Sequence, residues 1–485
     1  MRERRCLFVT LEEVVLIRIN TRIAVICCLA LLVQGCASAP DERSRVAPSA
    51  AYARIMAAEA EYGGKYWEEF GDESLTALIA GALKDNPGLE RTRQRLLQAE
   101  AVARRSGADL LPGVTVTGGR DTLRGDTSAS SSFSLRGAAS YELDLWGRNR
   151  AGYRAGLYDA AAAEEEIHAA AITLTAEIVQ DWLRLAALRE EEALLNRQID
   201  INRDILELQQ MRFDGGIATA LDVLQQQEVL ARSQAQLPDL RGGQELLQHR
   251  LAVLAGRSPS EPLPLDAAAL PALLPLPDAG LPSDLLENRP DVEAAWLRVS
   301  SADWAKAAAS ADRLPRFNLS ATYTTAGAAF SGLFNTWVLN LAAALVAPVF
   351  DGGERAAEEA RQQAVADERF QTYRETVLNA LKDVEDALSQ NRHQNDKITA
   401  VEDQLAASRH ALEQAQISYA NGAVEYLSVL NALLNVQNLE RQLVQERRDL
   451  ALSRVALYRA LGGRGWTDIA LSSGESKWNK EDIRG

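Results

Sequence analysis

Landmark residues of this chain recur at a nearly fixed distance, and that constrains its fold more than any other feature. Pro87 and Pro112 return as Pro290 and Pro315, a shift of 203 residues. Gly147, Gly216, Leu224 and Gly256 return as Gly353, Gly422, Leu430 and Gly462, a shift of 206. Around the prolines, "LIAGALKDNPGLERTRQRLLQAEA" and "ADLLPGVTVTGG" parallel "DLLENRPDVEAAWLRVSSADWA" and "ADRLPRFNLSATY". Several landmarks held at one offset identify a tandem duplication. Three extra residues enter the second copy between Pro315 and Gly353. Whatever fold serves one half must serve the other.

Each copy reads as a short helix, a medium helix, two strands, a very long helix and a long returning helix. Strands are predicted at Val114–Thr117, Phe133–Leu145, Phe317–Thr324 and about Trp337–Val349. From Phe133 to Leu145 the odd positions are Phe, Leu, Gly, Ala, Tyr, Leu and Leu, whereas the even ones are Ser, Arg, Ala, Ser, Glu and Asp. That is a strand with one apolar and one polar face. After Trp146-Gly147 the chain turns Ala- and Glu-rich, with no room for an ordinary loop. "YELDLWGRNRA" therefore sends a strand straight into a helix, and "PVFDGGERAA" repeats the device.

No Gly or Pro interrupts Leu157–Asp214, 58 residues, or Glu354–Asn421, 68 residues. Fully helical, these runs span about 87 and 102 Å, beyond ordinary globular helices. Ile167, Ala171, Leu174 and Ile178 follow the four-three spacing of a heptad seam, as do Val377, Leu381, Val384 and Leu388. Each run ends at a turn, "RFDGGIATALDVL" or "YANGAVEYLSVLNA", where Gly215, Gly216, Asn421 and Gly422 suit left-handed caps. Two long helical hairpins result. Pro238, matched by Val444 in the second copy, is expected to bend the first returning helix.

The predicted organisation is a signal peptide over 1–35, a lipidated segment over 36–70, and a first repeat over 71–256. A connector over 257–282 follows, then a second repeat over 283–462 and a tail over 463–485. Eight prolines between Pro259 and Pro290 mark the connector region. Arg18 and Arg22 precede an apolar run, Ile23–Val33, of secretory-signal length. "LLVQGC" then ends at Cys36, which reads as a lipobox acylation site; the alternative is an ordinary signal peptide containing a cysteine. Beyond Cys36 the only sulfur is in Met56 and Met211, so a disulfide within the mature chain is excluded.

Four strands cannot close a barrel, and an apolar face in lipid forbids open edges. Two copies would give eight strands, a barrel filled by its own side chains. Three would give twelve strands around a lumen. A small soluble sheet packed on helices is the alternative that alternation leaves open.

These features resemble the TolC-like outer-membrane efflux proteins, in particular their lipoprotein branch. The likeness spans nearly the whole mature chain. It is carried by "YWEEFGDESLTALIAGAL", "SYELDLWGR", "RFDGGIATALDVL", "LPSDLLENRPDVEAA", "APVFDGGERAA", "YANGAVEYLSVLNALLNVQ" and "LYRALGG". The resemblance implies a mostly α, α+β membrane protein: a homotrimer with a twelve-stranded outer-membrane barrel continued by a periplasmic α-helical tunnel. It implies a Gram-negative outer membrane location, an acyl anchor (palmitate among the chains) on Cys36, and partners in a periplasmic adaptor and an inner-membrane transporter. The connector and short helices would form a belt around the tunnel. The function implied is a passive exit duct gated at the helical tip. Leu427 matches the family's apolar constriction. Asn431 and Ser428 stand where members often carry acidic residues, so the second hairpin departs from the acidic pattern. Asp222 could supply charge from the first hairpin, or be an ordinary solvated helix residue. At the strand-to-helix junctions, Asp144, Trp146, Gly147, Asp351, Gly352 and Gly353 carry the turn. Glu142 and Asp144 are expected to line the lumen, with Trp146 near the lipid headgroups.

Net charge −15 argues against a nucleic-acid-binding protein, which would need a basic face, and leaves basic partners or a cation-favouring passage open. The four histidines, His168, His249, His393 and His410, read as helix-surface residues. No nucleophile triad, phosphate loop or zinc spacing is present, so neither an enzyme nor a cofactor is expected. The rival reading is a lipidated periplasmic adaptor or coiled-coil scaffold, which would not need duplicated strand pairs.

Overall fold

The computed structural model describes residues 43–47, 65–124, 129–265, 269–274, 276–277, 282 and 288–462. The predicted signal peptide, Cys36, the tail and parts of the connector lie outside the described residues. Helices α1 (Glu73–Asp85) and α2 (Pro87–Ala108) lead into strands β1 (Gly113–Arg124) and β2 (Ala129–Leu143). Helix α3 (Arg148–Asp214) runs 67 residues, about 100 Å, and α4 (Ala220–Leu254) returns along it. The second copy gives α5 (Pro290–Ala311), β3 (Arg316–Gly327), β4 (Trp337–Val346), α6 (Glu354–Ala420, again 67 residues) and α7 (Tyr426–Leu461). No described helix is long and apolar enough to cross a membrane.

Several boundaries differ from expectation. β1 is three times the predicted length, because Gly118, Gly119 and Arg120 hide its alternation. β2 ends at Leu143 and β4 at Val346, each short of the apolar pattern. α3 begins at Arg148, directly after the Trp146-Gly147 junction as the motif implies, and carries Gly152 and Gly156 inside it. Gly156 is buried where α2 crosses, and a Cβ there would come within 3.0 Å of the Ala103 Cα. Pro238 lies inside α4, within the expected returning helix, which continues to Leu254.

The four strands form one antiparallel sheet in the order β1-β2-β3-β4. Its register collects Val114 and Val116, Leu135 and Tyr141, Leu319 and Tyr323, and Leu339 and Leu341 on one face. The opposite face carries Thr115, Thr117, Ser134, Arg136, Ser140, Asn318, Thr322 and Asn340. No described α-helix packs across either face, and among the described residues the outer edges of β1 and β4 have no partner strand.

Below the sheet the helices line up side by side. α2 and α5 flank α3 near the sheet, and α6 lies beyond α5; further down, α4 pairs with α3 and α7 with α6, while α3 also meets α7. The short helices continue the returning ones end to end. The Asn86 amide donates to the Leu254 carbonyl at 2.8 Å, and Arg289 donates to the Ala460 carbonyl at 3.1 Å. Gly256 (φ 72°) and Gly462 (φ 84°) make these abutments possible, since a Cβ would lie 2.4 and 2.6 Å from the carbonyl oxygens of Asp85 and Asn288. The expected seams are interior: Ile167, Ala171, Leu174 and Ile178 are buried, as are Val377, Val384 and Leu388, with Leu381 partly so. His168 is also buried, contrary to its surface reading, because α3 is covered here from several sides. Connector residues Leu265 and Leu274 pack into the core around Trp182, midway down α3.

Candidate channel wall, junction and tip

The sheet-to-helix junction is built by one carboxylate in each copy. Asp144 accepts from the backbone N–H of Asn149 (3.1 Å) and Arg150 (2.9 Å) in the first turn of α3. Asp351 accepts from Gly353 N–H (3.0 Å) and Arg355 N–H (3.4 Å) at the start of α6. These donors have no partner within the helix, and the negative charge complements the helix dipole. The Gly353 N–H, followed by the Arg355 side chain and backbone, holds the Asp351 carboxyl below the usual carboxylate range. Gly147 (φ 74°), Gly352 (φ 64°) and Gly353 (φ 89°) supply the left-handed turn.

One expectation changes here, and two other junction residues gain partners. Asp144 lies past the end of β2 and caps a helix instead of lining the sheet's polar face. Glu142 does lie on that face, but both its oxygens receive the Arg148 guanidinium at 3.0 Å. Trp146, expected at the headgroups, is half-buried and donates its Nε1–H to the Pro315 carbonyl at 2.6 Å. It ties the first copy's junction to the second's. Asp312, unremarked in the sequence, joins Arg355 (3.1 Å), Arg148 (3.8 Å) and Arg316. Such a network fixes β3 and the starts of α3 and α6 against the end of α5.

At the other end, the first tip turns through Gly216 at φ 68° and the second through Gly422 at φ 74°. Gly215 and Asn421 are not left-handed, with φ −78° and −87°. Only one residue per turn needs the unusual conformation, so the expectation for Gly215 and Asn421 is corrected. Asp222 forms a reciprocal capping box with Thr219: its carboxylate accepts from Thr219 N–H (2.8 Å), and its own N–H donates to the Thr219 hydroxyl (3.2 Å). It is a structural cap, with its outer oxygen surface still available.

Leu427, Ser428 and Asn431 are exposed together on the first turns of α7, while Tyr426, Val429 and Leu430 are buried behind them. The structure thus groups the three predicted constriction residues and leaves Asp222 on the other hairpin. Sequence reasoning missed what holds the tips together. The Tyr426 hydroxyl donates to the Gln226 side-chain carbonyl at 2.6 Å inside the first hairpin. Burial pushes the Tyr426 phenol well above its ordinary value, with smaller contributions from Tyr419 and Asp222. Tyr419 donates to Gln209 at 3.3 Å and lies under the Arg212 guanidinium, 4.7 Å from the ring centre. Higher up, buried Asn202 and Gln437 exchange amide bonds (3.1 and 3.4 Å), and Gln198 donates to the Gln437 carbonyl at 3.1 Å. The available signal was polar amides at positions where a heptad seam wants apolar ones. Glu425, exposed beside Leu427, was likewise overlooked as an acidic residue at the second tip.

A family profile described as outer membrane efflux protein matches residues 78–257 and 281–463, one stretch in each copy. This chain belongs to that family. It is 32% identical over 461 residues to the pyoverdine export outer membrane protein OpmQ of Pseudomonas aeruginosa, covering 90% of this chain and 95% of that one. It is 30% identical over 470 residues to the cation efflux system protein CusC of Escherichia coli, covering 90% and 98%. The solved outer-membrane channel OprN superposes with a TM-score of 0.80 at 28% identity, covering 88% of this chain and 99% of OprN. Membership makes the chain an outer-membrane efflux component of the TolC-like type. The two relatives OpmQ and CusC are named for different cargoes, pyoverdine in one case and cations in the other.

Proposed function

We propose that three copies close a twelve-stranded outer-membrane barrel, continued across the periplasm by the hairpins, and that this assembly passively conducts solutes delivered by an inner-membrane transporter. The observation that carries the reading is the sheet: one face predominantly apolar, the other richer in polar residues, and, among the described residues, both edges unpaired. In lipid those edges must be satisfied by further strands, and β1 of one copy against β4 of the next does so. An adaptor or scaffold protein would have no use for such a sheet. The duct needs no catalytic chemistry or cofactor of its own.

The tip is the gate in this reading, with Leu427 as the apolar constriction, Ser428 and Asn431 beside it, and Glu425 and Asp222 supplying nearby negative charge. The first tip exposes Met211, Phe213, Ile217 and Leu221, a patch suited to an adaptor protein. Cys36 is the acylated anchor. Arg43 binds Asp303 (3.1 Å) and Asp367 (2.8 Å) on α5 and α6. The seven residues back to Cys36 can reach about 25 Å, and Asp303 lies about 12 Å below the sheet end of α5. An acyl chain on Cys36 therefore has the reach to enter the inner leaflet.

Planar-bilayer recording of the purified full chain tests the proposal. Leu427→Ser should raise the closed-state conductance; an unchanged value removes Leu427 from the gate, and no channels from the wild type would overturn the duct itself. Mass spectrometry of Cys36→Ala should find acylation lost.

A further inference from the structure

The apolar face of the sheet carries an unexpected cation. Arg120 of β1 pairs in register with Phe133 of β2, and its guanidinium stands over the Phe133 ring, 5.3 Å from the centre. It is therefore on the lipid-compatible face. Arg124, four residues on and exposed, has the same strand parity. At mid-bilayer an arginine on this face is strongly destabilising, whereas near the interface the cost becomes small.

The rung of Arg120 sits at the interface. It runs through Phe133 to Gly327, ten residues along β3 from Phe317 at the helix-proximal end. Ten residues span about 34 Å of strand, which at a tilt of about 40° rises about 26 Å, close to the height of the apolar band of an outer-membrane barrel. Aromatic residues mark the same level. Tyr323 and Trp337 stack at 5.9 Å, four and two residues below that rung, and Phe330 meets Phe133 edge-on at 6.0 Å. Among the described residues no carboxylate shares this face near Arg120; Asp121 points to the other side.

We propose that Arg120, assisted by Arg124, binds the phosphate of an outer-leaflet glycolipid. The guanidinium fork matches a phosphate bidentately, the Phe133 ring holds it in place, and the aromatic belt receives the adjoining acyl chains. The inference rests on the barrel reading, because only an outward face in the outer leaflet meets such a headgroup.

Native mass spectrometry of the detergent-purified full-length protein tests it, with bis-phosphorylated lipid A as probe and the phosphatase-treated lipid as comparator. Wild type should retain the phosphorylated form preferentially, and millimolar inorganic phosphate should not displace it. Arg120→Gln should weaken retention about ten-fold, Arg124→Gln less, and Arg120→Lys least. Equal retention of both lipids, displacement by inorganic phosphate, or wild-type retention by Arg120→Gln would overturn the site. Heat-modified gel mobility of each variant reports the barrel separately. If a variant fails to assemble, the wild-type comparison of the two lipids still decides.

Discussion

The two hairpin tips share a backbone plan and differ in what holds them. Both outgoing helices have 67 residues, and each turn has one left-handed glycine. The first tip is self-contained: Thr219 and Asp222 cap α4 reciprocally, and its larger apolar side chains face outward. The second has Glu425 at the N-cap with no side-chain cap at all. Its order comes from the neighbour, through Tyr426 on Gln226 and Tyr419 on Gln209. Duplication supplied two equal hairpins, and divergence made one the support of the other. A tip that leans is the one placed to move, and it is the one that presents Leu427.

The largest expected effect is therefore at Tyr426. Tyr426→Ala should cost about 3–5 kcal/mol as a large-to-small core change, read as faster amide exchange over 412–434, with the first tip much less affected. Equal loosening of both tips would break the asymmetry. Tyr426→Phe keeps the ring and strands the Gln226 carbonyl, for about 1–3 kcal/mol. Next, Thr219→Ala should cost about 1 kcal/mol through the lost cap, confined to exchange over 212–225. Spread into α7 would mean the first tip also leans.

The smallest effect is acid sensitivity. In the first hairpin, hydrogen bonds from Arg241 and then Gln244 hold the Glu192 carboxyl low. In the second, burial pushes Glu446 up, but Lys397, Gln394 and Gln442 outweigh it and leave it low. Both folded values lie below the ordinary 4.5, so their stabilisation is present above that pH and lost as pH falls through the folded values. Glu446 is buried and Glu192 only partly so. Exchange in both hairpins should accelerate on acidification, with Glu446→Gln flattening the response of the second hairpin and Glu192→Gln that of the first.

Much of this architecture was legible in the sequence because it rests on periodicity and on punctuation by Gly and Pro. The alternation of Phe133–Leu143 and the uninterrupted runs ending at Asp214 and Ala420 carried the strands and hairpins. β1 was only partly legible, since Gly118 and Gly119 leave no alternation to read. The junction residues were visible as a motif, but their roles were not. Asp144 and Asp351 cap helices from positions one residue out of step between the copies, and Trp146 and Asp312 act on elements more than 150 residues away or from another helix. The tip was legible for Leu427, Ser428 and Asn431, which share one exposed surface. It was not legible for Tyr426 and Gln226, because a hydrogen bond across hairpins leaves no local spacing.

The central claim is that the open edges of the sheet meet between copies. The chain has no cysteine after Cys36, so engineered pairs report cleanly. Thr117→Cys on the polar face of β1 is combined in turn with Val338→Cys, Asn340→Cys, Ala342→Cys and Ala344→Cys on the same face of β4. One register should oxidise to a covalent trimer on a non-reducing denaturing gel. Closure within single chains, or a ladder that stops at dimers in every register, would contradict the account.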